Sequence, residues 1–554
     1  METILLSCSK TLNLSPEDTV SEADFFNDAS DFELFANQFY YYMPTYNDDD
    51  QNSDVAMPIS GVSSISNSSY IAPTSDNIWT TAYSQVWQTS YLIEKVNSAS
   101  ASVRAEISRY DGEARFFRAM QYFTLVKRFG DVPLIDTRLD VSDKEIIYKP
   151  RNSRKEVVNF ILNQLDTAIS ELPLESGIAL ADKGRISKGS ALAIKARVAL
   201  FEATWRKFHE TGDDPSELFT VAINACKEIF FSGEYQLFDK RSVMGDSSYR
   251  FFFILDKIAS NPAGLTKADQ KENIMVKDYD SEISAAPGVT TGPSPTKTMA
   301  DMFLCIDGLP IDQSPKFKGY SLVASEYTNR DPRMTNDLLI PLQKYWSFGQ
   351  PAYYRNWSNP TAGGLQYTVT FNSITQTGYA RHKFSQEIQS PFSTNYPVIR
   401  LAEVYLIYAE ATFELGSSIS DVDLDLSINK LRERVGMPAL TNLFVNTYGL
   451  DMRTEIRRER TVELLFEGFR FDDLRRWKTA ETELSKSLKG IKFTGTQYAT
   501  DSRWSSMNFT TDANGFIILE DASKRTFEQK NYLFPIPTRQ IVLSPSLKQN
   551  PGWE

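Results

Sequence analysis

Apolar residues in this chain recur mostly at helical spacing, so it reads as a mainly α protein. A stripe of Trp79, Tyr83, Trp87 and Ile93 predicts a helix over 76–99. Residues 113–129 repeat the pattern, and Gly130-Asp131 stops it before the extended Val132-Pro133-Leu134-Ile135. Further helices are predicted over 153–171, 187–205 and 218–231. Near the start, Ser21 precedes Glu22 and Asp24 as an N-cap precedes an acidic first turn, which predicts a helix there.

The 187–205 helix sets Ala191, Ala193, Ala196, Ala199 and Ala203 among larger residues, letting a neighbouring helix come close. An Ala-rich helix recurs at 401–415. Small positions alternating with aromatic ones in paired helices follow the packing logic of tetratricopeptide repeats. Long insertions separate the pairs, so the expected architecture is a tetratricopeptide-like helical-hairpin scaffold with loops inserted into it. From 240 to 396 Gly, Pro, Ser, Thr and aromatics rise, and the helical period is lost except near 298–304. Extended runs at 366–371 and 378–384 are expected to form short β-hairpins. The organisation expected is a helical part over 9–239 with a long loop at 38–76, an irregular part over 240–396, and a helical part over 397–554. All three belong to one compact unit.

With 41% hydrophobic and 23% charged residues, the 554-residue chain has the balance of a folded globular protein. Its formal charge is −12, and no Lys/Arg cluster lacks interleaved acids, which sets nucleic acid aside as a partner. Cys8, Cys226 and Cys305 form no Cys-x-x-Cys pair, and the histidines are His209 and His382. No zinc site is expected from them, and no cofactor or other metal. Cys226 lies in an apolar helical stripe as a buried free thiol. No stretch approaches the roughly 20 apolar residues of a membrane-spanning helix. Leu5-Leu6-Ser7-Cys8-Ser9 has the form of a bacterial lipobox, without the basic and apolar stretches of a full signal before it. Residues 1–8 are read as a signal remnant and Cys8 as a lipidation site.

A series of blocks in order resembles the SusD/RagB family of Bacteroidetes outer-membrane nutrient-binding lipoproteins. They are 112–135, Gly184-Arg185-Ile186-Ser187, Arg330-Asp331-Pro332-Arg333, Gly378-Tyr379-Ala380-Arg381-His382-Lys383-Phe384, 398–411, 457–478, and Phe534-Pro535-Ile536-Pro537 with Asn550-Pro551-Gly552-Trp553. The resemblance implies a tetratricopeptide-like scaffold bearing a variable ligand-binding surface. It also implies a lipid anchor at the cell surface and a SusC-like TonB-dependent transporter as partner, over which the protein acts as a lid. The cargo expected is an oligosaccharide, with peptide as the alternative.

Two kinds of chemistry compete in the remaining motifs. Glu459, Glu463 and Glu467 fall at i, i+4 and i+8 of a helix read over 457–478, with Arg460, Arg470, Arg475 and Arg476 close in sequence. A surface glycoside hydrolase would need one such carboxyl raised in pKa by an apolar pocket. Neighbouring arginines lower it instead, so a salt-bridged scaffold face is the expectation. Arg330-Asp331-Pro332-Arg333 reads as an Asp-capped turn rather than an anion clamp. His382, between Arg381 and Lys383, is poorly placed for a general base, and no nucleophile, Walker or dinucleotide motif is present. The aromatic loops differ. Tyr41, Tyr46 and Asp48 in one, and Trp346, Tyr353, Tyr354 and Trp357 in the other, set rings beside amide, carboxylate and guanidinium groups. Sugars present apolar C–H faces and hydroxyls that call for that pairing, so these residues are the candidate ligand contacts. An intracellular tetratricopeptide-type scaffold is the reading without a ligand.

Overall fold

A two-residue connection at Ala99-Ser100 joins the first two long helices and folds them back on each other. The computed structural model describes residues 25–554 apart from 47–48, 60, 139–141, 257, 281, 284, 287–291, 340–375, 386–392 and 503. Helix α1 (Ala29–Asn37) precedes the long helices α2 (Asn77–Ser98), α3 (Ala101–Phe129), α4 (Arg154–Glu171), α5 (Lys188–His209) and α6 (Ser216–Phe231). From α2 to α6 each packs on the next, and α7 (Leu401–Gly416) closes the row against α6. Helix α5 can be central because Ala191, Ala193, Ala196, Ala199 and Ala203 are all buried, so its neighbours pack against a flat face.

Local chemistry sets the ends of these helices. Asp76 accepts from the N–H groups of Ile78 and Trp79, and Ser153 and Ser187 each complete a capping box. Gly130 stops α3 at φ 75°, where a Cβ would stand 2.8 Å from Leu533 Cδ1. Three helix expectations need correction. The first described helix starts at Ala29, where Asp28 and Asp31 form the capping box, and residues 25–28 are not helical. Helix α3 begins at Ala101 rather than 113, because Ser100 supplies a cap and nothing between them breaks the turn. Trp87 leaves the predicted stripe and is 40% exposed, while Val86 and Ser90 take the buried positions.

The largest correction concerns 457–478, which is not one helix. It divides into α8 (Met452–Glu463) and α9 (Arg470–Arg476), separated by a turn in which Phe466 (φ 62°) and Gly468 (φ 80°) both adopt the left-handed region.

The strands are short and pair across long sequence separations. β1 (Ala56–Met57) pairs with β3 (Ser294–Pro295), β2 (Asn273–Lys277) with β6 (Tyr396–Arg400), β4 (Leu338–Leu339) with β5 (Ala380–Arg381), and β7 (Leu488–Lys492) with β8 (Phe516–Glu520). All are antiparallel. The 378–384 run therefore makes a non-local pair instead of a hairpin, and 366–371 lies outside the described residues. In the β2–β6 register Asn273 faces Arg400 and Lys277 faces Tyr396, so β2 runs from the buried interior at one end to a surface cleft at the other.

The closing motif locks this frame. The N–H of Phe534 donates to the Arg128 carbonyl at 2.7 Å, and the Asn550 amide donates to the carbonyls of Phe129 and Phe534. Trp553 Nε1 reaches the carbonyls of Lys530 and Leu533, both at 3.0 Å. The C-terminal segment thus satisfies the carbonyls freed where α3 ends. One apolar cluster runs from Phe32 to Leu547 through α2–α7, and a second joins α7 to α8.

Candidate functional site

The acidic residues of α8 and the following turn lie at the centre of a buried ionic network. Glu463 Oε1 accepts from Arg400 Nη1 at 2.6 Å and from Arg434, and its Oε2 accepts from Arg333 Nη1 at 3.0 Å. Glu459 receives Arg333 at 2.6 Å and Arg432 at 2.8 Å. Glu467 receives Lys383 Nζ and the Arg400 guanidinium, each at 2.8 Å. Glu272, just ahead of β2, joins Arg400 and Arg434 from below. These side chains are all 3% exposed or less. The partners come from β6, from the short helices Pro332–Asp337 and Ile428–Arg434, and from the segment after β5. They are not the arginines next in sequence. Arg460 pairs with Asp473, Arg470 with Asp54, Arg475 with Asp472, and Arg476 with Glu410 and Asp473.

This arrangement decides the protonation of the carboxylates. Burial opposes their charge, yet Arg434, Arg400 and Arg333 hold Glu463 well below the usual carboxylate range. Arg333 and Arg432 lower Glu459, and Arg400 and Lys383 lower Glu467, against the same burial. An acid catalyst requires the reverse shift and access to substrate; these groups have neither. Asp331 accepts from the Arg333 N–H as the cap of Pro332–Asp337, so the Arg-Asp-Pro-Arg block is a capped turn whose second arginine enters the network.

The same signature turn holds the 49–57 segment. The Asp50 carboxylate accepts from the Phe466 N–H at 2.7 Å and the Arg470 N–H at 3.0 Å. Asp54 takes the Arg470 guanidinium through two bonds of 2.8 Å. Burial raises Asp50 to about 7, against the pull of those backbone donors. Two acids in what reads as a polar loop thus pin that loop onto the start of α9.

A cleft opens between the turn at Gln38–Tyr42, residues 181–185 and the end of β2. Its two lobes measure about 430 and 450 Å³ and share Lys183, Gly184, Arg185, Val276 and Asp278. Tyr40 forms one wall: its hydroxyl accepts from the Ile186 N–H at 2.9 Å, and the Arg185 guanidinium lies 5.4 Å from its ring. Arg185 is fixed by Glu113 Oε1 and Oε2 at 3.0 and 3.1 Å. Lys277 Nζ donates to the Tyr40 carbonyl at 2.9 Å.

Of the candidate ligand contacts, Tyr41 is 83% exposed beside Tyr40. Tyr46 turns inward, its ring 4.9 Å from Tyr396 and 5.4 Å from Phe384, and burial pushes its phenol up to about 12. Asp48, Trp346, Tyr353, Tyr354 and Trp357 lie outside the described residues, as does Cys8. Cys226 is buried, and burial raises its thiol well above the ordinary value. Lys277 carries no sequence signal of its place on the cleft, because a lysine in a short strand has no spacing that marks it. No helix of the described residues is long and apolar enough to cross a membrane.

The fold is a mainly α row of paired helices with small antiparallel sheets, and it carries this cleft on its surface. The model of the SusD family matches residues 264–553, more than half the chain, and this protein belongs to that family. A second family model, described as starch-binding and associating with the outer membrane, matches residues 24–200. The SusD-like protein P38 of Formosa agariphila is 24% identical over 510 residues, 88% of this chain and 91% of the relative. A SusD-like protein of Bacteroides fragilis superposes with a TM-score of 0.74 at 26% identity, over 97% of this chain and all of the other. A SusD-like carbohydrate-binding protein of Bacteroides fragilis shares the fold at TM-score 0.74 and 23% identity, over 95% of this chain and all of the other.

Proposed function

We propose that this protein captures oligosaccharide at the cell surface and delivers it to a SusC-like TonB-dependent transporter, without catalysing a reaction on it. Membership of the SusD family carries the reading. Two further observations support it: a protein of the same fold from Bacteroides fragilis is a SusD-like carbohydrate-binding protein, and a tyrosine-rich turn borders a surface cleft here. The acids that could have suggested hydrolysis are buried and held ionised. Cys8 is the proposed lipid anchor, and Tyr41, Tyr46, Asp48, Trp346, Tyr353, Tyr354 and Trp357 are the proposed ligand contacts.

Affinity electrophoresis against a polysaccharide panel tests the reading. At least one polysaccharide retards the protein and is recovered uncleaved. A panel that retards nothing, with peptides bound in its place, replaces glycan by peptide as cargo; shortened products make the protein a hydrolase. For the loop rings, Trp346→Ala or Trp357→Ala removes about 1.5–3 kcal/mol of ring burial on sugar, tenfold or more in affinity. The melting temperature stays in place. Affinity intact with a collapsed melt assigns these rings to the core. For the anchor, Cys8→Ala behind a complete signal peptide moves the protein from the membrane to the soluble fraction. Unchanged membrane association removes Cys8 as the anchor.

A further inference from the structure

The cleft beside Tyr40 is lined by five acids and five bases, yet the acids are taken up in a way that leaves Lys277 without a carboxylate partner among the described residues. Its carboxylates are engaged: Asp182 accepts from Arg109 at 2.9 Å, Asp278 from Lys267 at 2.6 Å, and Glu175 from Lys183 at 3.2 Å. Glu234 holds the N–H and hydroxyl of Ser176 at 2.7 and 2.8 Å, and Glu33 lies 3.9 Å from Arg185. Arg185 is in turn committed to Glu113. Lys277 stands apart. It is half-buried at the end of β2, and it donates to a neutral carbonyl, that of Tyr40. No carboxylate among the described residues forms an ion pair with it, nor with Lys271 on the wall of the adjoining lobe.

An ammonium has three donors, and one carbonyl leaves two of them to face the cleft. Partial burial already lowers the Lys277 pKa, the mark of a cation without a counter-charge. An anion arriving in the cleft supplies that counter-charge without displacing any existing pair. Each lobe is of a size that suits a small saccharide unit.

Resting on the glycan reading, we propose that this cleft receives the acidic group of a carboxylated or sulfated saccharide, with Lys277 as the cation that pairs with it. The protein is then a receptor for anionic glycan, although its own net charge is −12. That overall charge repels acidic polymers at long range, so recognition depends on a local contact and weakens as salt screens it.

The test titrates the full chain with three probes: polygalacturonate for carboxylate, a sulfated galactan for sulfate, and laminarin as a neutral glucan. Expected is binding to one acidic probe, weakened about tenfold by Lys277→Gln and restored by Lys277→Arg, which keeps the charge. Raising ionic strength weakens the same complex. Because Lys277 has no ion pair within the protein, the glutamine variant keeps the parental melting temperature. Binding to laminarin alone, or acidic binding that Lys277→Gln leaves unchanged, overturns this assignment and leaves the glycan reading standing. Binding to none of these probes or of the wider panel overturns both.

Discussion

Replacing Glu463 with glutamine lowers the unfolding free energy by about 3–5 kcal/mol, the cost of removing one member from a buried ionic group. The carboxylate takes hydrogen bonds from Arg333, Arg400 and Arg434, none more than 3% exposed. A neutral amide leaves three guanidinium groups without part of their counter-charge, in a place water does not reach. A denaturant titration reads this as a lower midpoint with an unchanged slope. Lys486→Gln serves as the contrast, since its pair with Glu483 is on the surface and its loss stays within about 0.5 kcal/mol. Ligand affinity in the folded Glu463→Gln protein matches the parent. A variant that folds with parental stability but no longer binds, or that reveals a lost turnover, would make Glu463 a functional residue.

The second large effect is a fall in stability as pH rises from about 4 to about 8, traced to the fully buried Asp337 and Asp50 together with the half-buried Glu171, which burial raises to about 8. Asp337 is fully buried, and neither carboxylate oxygen has a hydrogen-bond partner among the described residues. Five carboxylates around it, Asp331, Glu272, Glu459, Glu463 and Glu467, already match five cations, Arg333, Lys383, Arg400, Arg432 and Arg434. Burial therefore raises Asp337 to about 8, with Lys383 pulling down and Glu463 pushing up, while Asp50 stands at about 7. Between the unfolded value of 3.8 and these folded values the native state binds more protons than the unfolded chain. Stability from these groups is complete below about 3.8 and declines by up to about 1.4 kcal/mol per pH unit per group until the folded pKa is passed. Glu326, raised chiefly by burial, adds in the same direction.

Acids with lowered pKa work in the opposite sense and at lower pH. Although burial opposes it, Arg476 helps hold Glu410 at about 2, and Glu463 is also low. Their contribution is present above the unfolded value near 4.5 and is lost as pH falls toward 2. His209, lowered by burial to about 4, works in this sense too between about pH 4 and 6.5, and offsets part of the decline from Asp337 and Asp50 there. Asp337→Asn, which mimics the protonated acid, flattens the decline between pH 4 and 8 and stabilises the protein at pH 8. A variant whose profile still falls as steeply as the parent assigns the decline to other groups.

Helix existence was legible from the residues themselves, and the physical reason is that helices are made by neighbours. Caps, periodic apolar faces and Gly stops act within a few positions, so Ser153, Ser187 and Gly130 announce their elements whatever lies elsewhere. The alanine face of α5 likewise announced close helix packing before any partner helix was known. The ordered blocks at Gly184-Arg185, Arg330–Arg333 and the two closing motifs pointed to the family, which the match over 264–553 then showed. The charge pattern at Glu459, Glu463 and Glu467 spoke for salt bridges, which the structure shows, although with partners from distant elements and on a helix that ends at Glu463. What only the tertiary structure decided was long-range pairing. Arg400, Arg434 and Glu272 meet Glu463 across separations that carry no periodic signal, and a charged residue does not encode which opposite charge it will meet. The left-handed Phe466 breaks the helix because the turn it makes is held by Asp50 from the far end of the chain. Lys277 became a candidate for the same reason: its isolation is a property of every wall of the cleft, and those walls come together only on folding.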